Sequence, residues 1–296
     1  MDHITDKENR QGVPVFQTPR NGFAVPSPSQ TTRVWTSPDN EWKVTTVKKP
    51  ILNSSEIDAA TEKLGIPIPE MIFGNNQVKI ENVPSGLCIC FSALDALDLV
   101  DKTGSRDGLV KVAYAKEWMD SREKSPHIND DVKGIVKPFD WTYTSAYKGD
   151  TTVKGVLADP WVEDKDVILP MELLSRPDPI LFFDDVCLYE DELGDNGIAN
   201  FSVKIRVMPE RLLLLSRLFI RVDDVLFRVR DTRIFVEFSQ GVLVREYKAH
   251  EETYDKVKKR VPIGSQDYSQ NLRDSNWVVK NIACSKTVHE IIELRK

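Results

Sequence analysis

The side chains best suited to hold a metal, or to act as nucleophile and base, are few and scattered in this chain. The histidines, His3, His127, His250 and His289, stand apart, and none has a second ligand type at its side. Cys88 and Cys90 are two apart, which would put both sulfurs on one face of a strand. A zinc site needs a second Cys or His pair at matched spacing; none follows, so these two read as buried thiols. Asp184, Asp185, Glu190, Asp191 and Glu192 crowd one short stretch. They offer oxygen ligands for a metal-assisted hydrolase, the alternative function here, but lack the spacing and the glycine of a calcium loop. They serve equally well as a solvated connection or as internal partners for basic groups. No G-x-S-x-G, H-E-x-x-H, Walker-type or dinucleotide glycine pattern occurs. The chain therefore reads as a non-enzyme with no metal and no cofactor.

Groups suited to recognition are more concentrated. Asp140-Trp141-Thr142-Tyr143 joins a carboxylate to two large rings, which give wide contact at low entropic cost. The opposing reading turns Trp141 and Tyr143, two apart, into the core. Arg230-Asp231-Thr232-Arg233 falls between two alternating runs and reads as a turn. Displayed there, the arginines would fork a carboxylate and Asp231 would accept backbone amides; otherwise Asp231 only caps the turn. Asp95 stands in the first turn of a helix opened by Ser92 and is a third acceptor.

The elements that must position these groups are mostly strands. From Ala199 to Lys248 apolar residues recur at every second position, beginning with Phe201, Val203, Ile205 and Val207 and broken by Pro209. Arg211 to Val222 is apolar almost throughout, as in a strand covered on both faces. Asp223-Asp224 and Gln240-Gly241 turn the chain. Connections this short make the strands antiparallel neighbours. The polar side of the ladder collects Lys204, Arg206, Arg217, Arg221, Arg228, Arg230, Arg233 and Arg245 against Glu237 and Glu246. Such a face is either neutralised from within or meets an acidic partner. Upstream, strands are expected over 41–47, 77–82, 87–91 and 180–189. A helix capped by Asn53 should run to Leu64 and stop at Gly65. Residues 115–122 read as helical, and Trp277 to Leu294 as a further helix. The fold class is α+β: mainly antiparallel sheet, two sheets packed together, and a few short helices.

The formal net charge of −6 argues against a general nucleic-acid binder. No run of eighteen apolar residues and no apolar signal core occurs, so no membrane partner is expected. Residues 1–38, broken by five prolines, read as a disordered tail. Thr18-Pro19, Ser27-Pro28 and Ser37-Pro38 in it have the form that proline-directed kinases accept. Residues 39–262 read as one globular domain, and 263–296 as a partly helical or disordered segment.

Six ordered blocks together resemble one family. They are Pro69 to Gly74, Lys137 to Thr144 with Tyr147-Lys148-Gly149, Glu190 to Leu193, Ser202 to Pro209, Asp231-Thr232-Arg233 and Arg245-Glu246-Tyr247. The chain resembles the TOR signalling pathway regulators, TIPRL and its fungal relatives, over roughly Trp42 to Lys248. The tail, residues 150–179 and the chain after about Glu251 depart from the pattern. The resemblance implies a non-enzymatic cytoplasmic protein, present in the nucleus as well. It implies binding to type 2A phosphatase catalytic subunits and to the alpha-four-type phosphatase partner, acting under TOR. A phosphatase of that group ends in an extended tail, whose docking needs Arg forks, amide acceptors and apolar pockets. The expected site is one groove at the sheet edge formed by Asp95, Asp140, Trp141, Tyr143, Arg206, Arg230, Asp231 and Arg233.

Overall fold

A computed structural model of the chain describes residues 31–102, 142–262 and 268–294. The expectations for 115–122, Asp140, Trp141, Thr18 and Ser27 lie outside the described residues. Among these residues, two antiparallel sheets share a core, as the alternation of the sequence implied. One has the order β1 (Thr31–Thr36), β2 (Trp42–Lys48), β4 (Gln77–Asn82), β5 (Leu87–Ser92), β6 (Asp150–Val153) and β7 (Val156–Leu157). The other runs β3 (Met71–Ile72), β9 (Phe182–Asp191), β10 (Gly197–Val207), β11 (Arg211–Val222), β12 (Leu226–Glu237), β13 (Val242–Thr253), β14 (Cys284–Glu293) and β8 (Val162–Glu163). Trp42, Val44, Ile80, Ile89 and Phe91 of the first sheet pack with Val203, Ile205, Leu214, Ile220, Ile234 and Val236 of the second. The predicted turns hold: Asp224 and Gly241 take positive φ between β11 and β12 and between β12 and β13.

The helices are short: α1 (Ser54–Leu64), α2 (Ala93–Asp98), α3 (Met171–Leu174), α4 (Tyr254–Lys258), α5 (Tyr268–Asn271) and α6 (Ser275–Asn281). Helix α1 opens on the Asn53 capping box and closes on Gly65 at φ 68°, as its sequence requires. The outer face of the large sheet carries an apolar cluster at each of its two ends and a polar strip between them. At one end Phe219, Phe227 and Val229 lie under Val257, Leu272 and Val278. At the other, Phe235 and Val244 lie under Leu169, with Leu173 and Leu174 beside them.

Four expectations need correction. Arg230-Asp231-Thr232-Arg233 is not a turn; it lies in the middle of β12, which runs unbroken for twelve residues. Its Asp-Thr sequence resembles a turn, but partners on β11 and β13 hold it extended. The helix expected over Trp277 to Leu294 stops at Asn281, and 284–293 forms β14. The C-terminal segment thereby supplies a strand of the large sheet. At the other end, 31–36 of the expected tail is strand β1, in register with β2 and with Trp35 stacked on Phe238 at 5.6 Å. Ser37 is 4% exposed; its hydroxyl bonds the Asp39 carboxylate and accepts from the Trp42 amide at 2.9 Å. It is a turn residue of the β1–β2 hairpin, which takes it out of reach as a kinase site.

Candidate functional site

The acidic stretch disperses because β9 alternates. Asp184 turns inward, where Thr46 donates to it at 2.6 Å and the cations of Lys48 and Arg33 flank it. Burial pushes this carboxyl up, but the Lys48 and Thr46 bonds outweigh it and leave its pKa below the usual range. Asp185 turns outward to Lys204 at 3.0 Å. Glu190 accepts from Asn200, and Asp191 from the amides of Glu70 and Leu193. These carboxylates bridge strands and cap loops. Among the described residues, no group of three or more His, Cys, Asp or Glu side chains is placed to hold a metal ion. Cys88 and Cys90 do sit on one strand, as free thiols, and burial drives the Cys90 thiol up to about 12.

Strand alternation also splits the expected groove. Arg230 and Asp231 are neighbours on β12 and so point to opposite faces. Arg230 and Arg228 face the small sheet. Arg228 donates to Thr144 at 2.7 Å and to Glu251 at 2.7 Å; Arg230 reaches the same Glu251 oxygen at 3.3 Å and the His250 carbonyl at 2.9 Å. Burial, with Arg228 beside it, lowers the Arg230 pKa. Tyr143 belongs to this side, but its ring is core. It is 2% exposed and packs edge-on to Tyr189 at 6.2 Å, from a backbone at φ 56° that non-glycine residues rarely adopt. Gly149 lets the same segment run against β5, since a Cβ there would sit 2.7 Å from the Phe91 ring.

Asp231 and Arg233 face outward, on the polar strip between the two apolar clusters of that face. Arg217 grips Asp231 through two bonds of 2.7 Å, while its third nitrogen reaches Ser275 and Asn276 of α6. Asp231 is 1% exposed. The next rung is organised by Glu246, which receives Arg233 at 3.0 Å, Lys248 at 2.9 Å and His289 at 3.2 Å. Burial raises this carboxyl, but the cations outweigh it and its pKa falls below the usual value. Arg206 stands further along the outer face and reaches the Leu174 carbonyl at 3.4 Å. Its Nε is buried with no hydrogen-bond partner among the described residues.

Asp95 lies on the small sheet, in the first turn of α2, where Ser92 donates to it at 2.5 Å. Asp150, across on β6, has its carboxyl raised to about 6 by burial and by Asp95. The expected residues thus divide among three places: Arg230 and Tyr143 between the sheets, Asp231, Arg233 and Arg206 on the outer face, and Asp95 beside α2. The basic residues expected on one polar side are divided: Arg228, Arg230 and Arg245 stand on the side of the shared core and Lys204, Arg206, Arg217, Arg221 and Arg233 on the outer face, because the apolar period changes register within β12. Most of them are neutralised from within, the first of the two readings. Sequence reasoning missed the partners Arg217, Glu251 and Asp150. A signal for the first existed: Arg217 and Asp231 stand equally far from Asp224 on either side, so a hairpin turning there must pair them.

Known proteins bear on these surfaces. Residues 71–258 match the TIP41-like family. The type 2A phosphatase activator TIP41 of Saccharomyces cerevisiae is 45% identical over 285 residues, covering 91% of this chain and 78% of that protein. The TIP41-like protein of Homo sapiens is 36% identical, over 83% of this chain and 87% of its own length. The type 2A phosphatase activator tip41 of Schizosaccharomyces pombe is 34% identical, over 81% and 91%. The matched span runs from β3 through α4, so it includes the Arg217–Asp231 grip, Glu246 with Arg233 and Lys248, and the Arg228–Arg230 pair, while His289 lies beyond it. With this span and this identity, the chain belongs to the TIP41-like family.

Proposed function

We propose that this chain binds the catalytic subunit of type 2A serine/threonine phosphatases and modulates its activity or assembly, with no catalytic step of its own. Its setting is TOR signalling, in the cytoplasm and also in the nucleus, with the alpha-four-type phosphatase partner as a second contact. The observation that carries the reading is the 45% identity to a protein named type 2A phosphatase activator over nearly the whole chain. That name describes a regulator of an enzyme. The divergence of the acidic stretch supports the same view, because those carboxylates are already bound to cations and amides.

The residues favour the side of Arg228 and Arg230 for the partner's extended tail. Arg230 lies on that side, its guanidinium set against Glu251 and the His250 carbonyl, as one arm of the fork a terminal carboxylate would need. Asp231 is fully engaged and acts as structure. The test is a titration of the purified chain with a type 2A catalytic subunit, intact and lacking its last residues. Nanomolar to micromolar binding that weakens on removing the tail is expected. No binding to either form would overturn the reading.

A further inference from the structure

Strand β14 is ten residues long, but its outer neighbour β8 covers only Glu290 and Ile291. One further bond, from the Asp164 amide to the His289 carbonyl at 3.0 Å, extends that cover by a residue. That bond also fixes the direction of the backbone. In an antiparallel ladder a residue's N–H and C=O point to the same side, and sides alternate. His289 points off the sheet, so Thr287 does too, while Val288 and Lys286 pair inward with Tyr247 and Ala249. The N–H and C=O of Thr287 therefore face outward with no backbone partner among the described residues. Residues Cys284 to Thr287 are all exposed. At about 3.4 Å per residue, the uncovered half is about 14 Å long.

Charge selects what fits there. Lys286 has no carboxylate partner among the described residues and flanks the edge on the face toward the small sheet. On the other face Lys248 stands beside Thr287 in the same rung, with His289 next along; both lean on a Glu246 carboxylate that Arg233 already holds. At the covered end the balance reverses, because Glu163 of β8 lies opposite Glu290. We propose that the uncovered half of β14 is a docking edge for an extended acidic segment of a partner protein, added antiparallel as one more strand of the large sheet. Main-chain bonds to Thr287 would give affinity, and carboxylates set opposite Lys286 and near Lys248 would give preference. The proposal is independent of phosphatase binding.

The probe is a fluorescent hexapeptide of alternating valine and glutamate, titrated by anisotropy into the full chain at low salt. Hydrogen exchange is read on the same mixture. The peptide is expected to bind, to slow exchange at the Thr287 amide, and to lose about tenfold in affinity with Lys286→Glu, a charge reversal at an exposed position that leaves folding intact. Thr287→Ala should bind as the wild type does, since the backbone makes the contact, whereas Thr287→Pro should abolish binding. A lysine-for-glutamate version of the probe should bind at least about tenfold more weakly. Absence of binding, unchanged exchange at Thr287 under saturation, or affinity indifferent to Lys286→Glu would each overturn the proposal. None of these results bears on affinity for the phosphatase, which is measured separately.

Discussion

Replacing Asp231 by Asn tests whether this carboxylate is a binding group or a structural one. Arg217 meets it through two parallel bonds of 2.7 Å, with side chains only 10% and 2% exposed. Removing one partner of a buried pair costs about 3–5 kcal/mol, because the remaining charge stays buried. Asn keeps the shape and one acceptor oxygen, and Ser275 and Asn276 still hold the far side of the guanidinium. The low end, about 3 kcal/mol, is therefore expected. At about 2–4 °C per kcal/mol for a domain of this size, Tm should fall by about 6–12 °C. The double replacement Arg217→Met with Asp231→Leu removes both charges and should recover most of the loss, to within about 1.5 kcal/mol of wild type. Thermal melts by circular dichroism and phosphatase titrations on the same preparations provide both readouts. A Tm within a degree or two of wild type, with affinity down by about tenfold or more, would refute the structural assignment and return Asp231 to the binding surface.

Other outcomes follow from the same geometry. Asp184→Ala removes the clamp between the sheets; since Arg33 and Lys48 are half-exposed, the cost should be about 1–2 kcal/mol, with faster hydrogen exchange in β1. Deleting residues 1–30 should leave Tm within a degree or two, whereas deletion through Thr36 also removes the Trp35–Phe238 stack and should lower it by several degrees. The folded pKa of Asp150 lies above its unfolded value, so the folded state takes up a proton as pH falls from about 6 toward 4 and stability gains from this group over that window. Carboxyl NMR should show the Asp150 titration moving down in Asp95→Asn; an unmoved midpoint would exclude Asp95 as a cause. Ser37→Glu should destabilise the β1–β2 hairpin, because a larger charged group cannot occupy the site of the buried hydroxyl.

Much of the large sheet was legible in the sequence, because β9 and β10 bury mainly one face and write a two-residue period, while β11 is covered on both faces and reads as a nearly unbroken apolar run. The helix caps at Asn53 and Ser92 were legible for a similar reason, since capping is settled within four residues. Long-range pairing was not. The dipeptide Asp231-Thr232 looks like a turn when read alone, and only Arg217 on the neighbouring strand shows why an acid sits mid-strand. Strand β14 was hidden because its first half is exposed on both faces, which erases the alternation. Strand alternation parted Arg230 from Asp231 and Arg233, since consecutive strand residues cannot share a face, while Asp95 belongs to the other sheet. Tyr143 was misplaced because composition cannot tell a displayed ring from a buried one.

The ladder from β9 to β13 has a bearing on how the molecule assembles. Each strand in it pairs with the next one in sequence, across short reversals at 192–196, 208–210, 223–225 and 238–241. Contacts of that kind close small loops and form early on the folding time axis. Strand β14 must return across some thirty residues, and β6 is separated from β5 by more than fifty, so their pairings carry a larger loop-closure entropy. The meander is therefore expected to be the nucleus, with β14 and the small sheet condensing onto it. Kinetic φ-values on Ile220 and Ile234 should exceed those on Ile292 and Ile89. Because the meander is complete by Thr253, a ribosome still synthesising the last strand would already carry a largely formed sheet whose β13 edge awaits its neighbour.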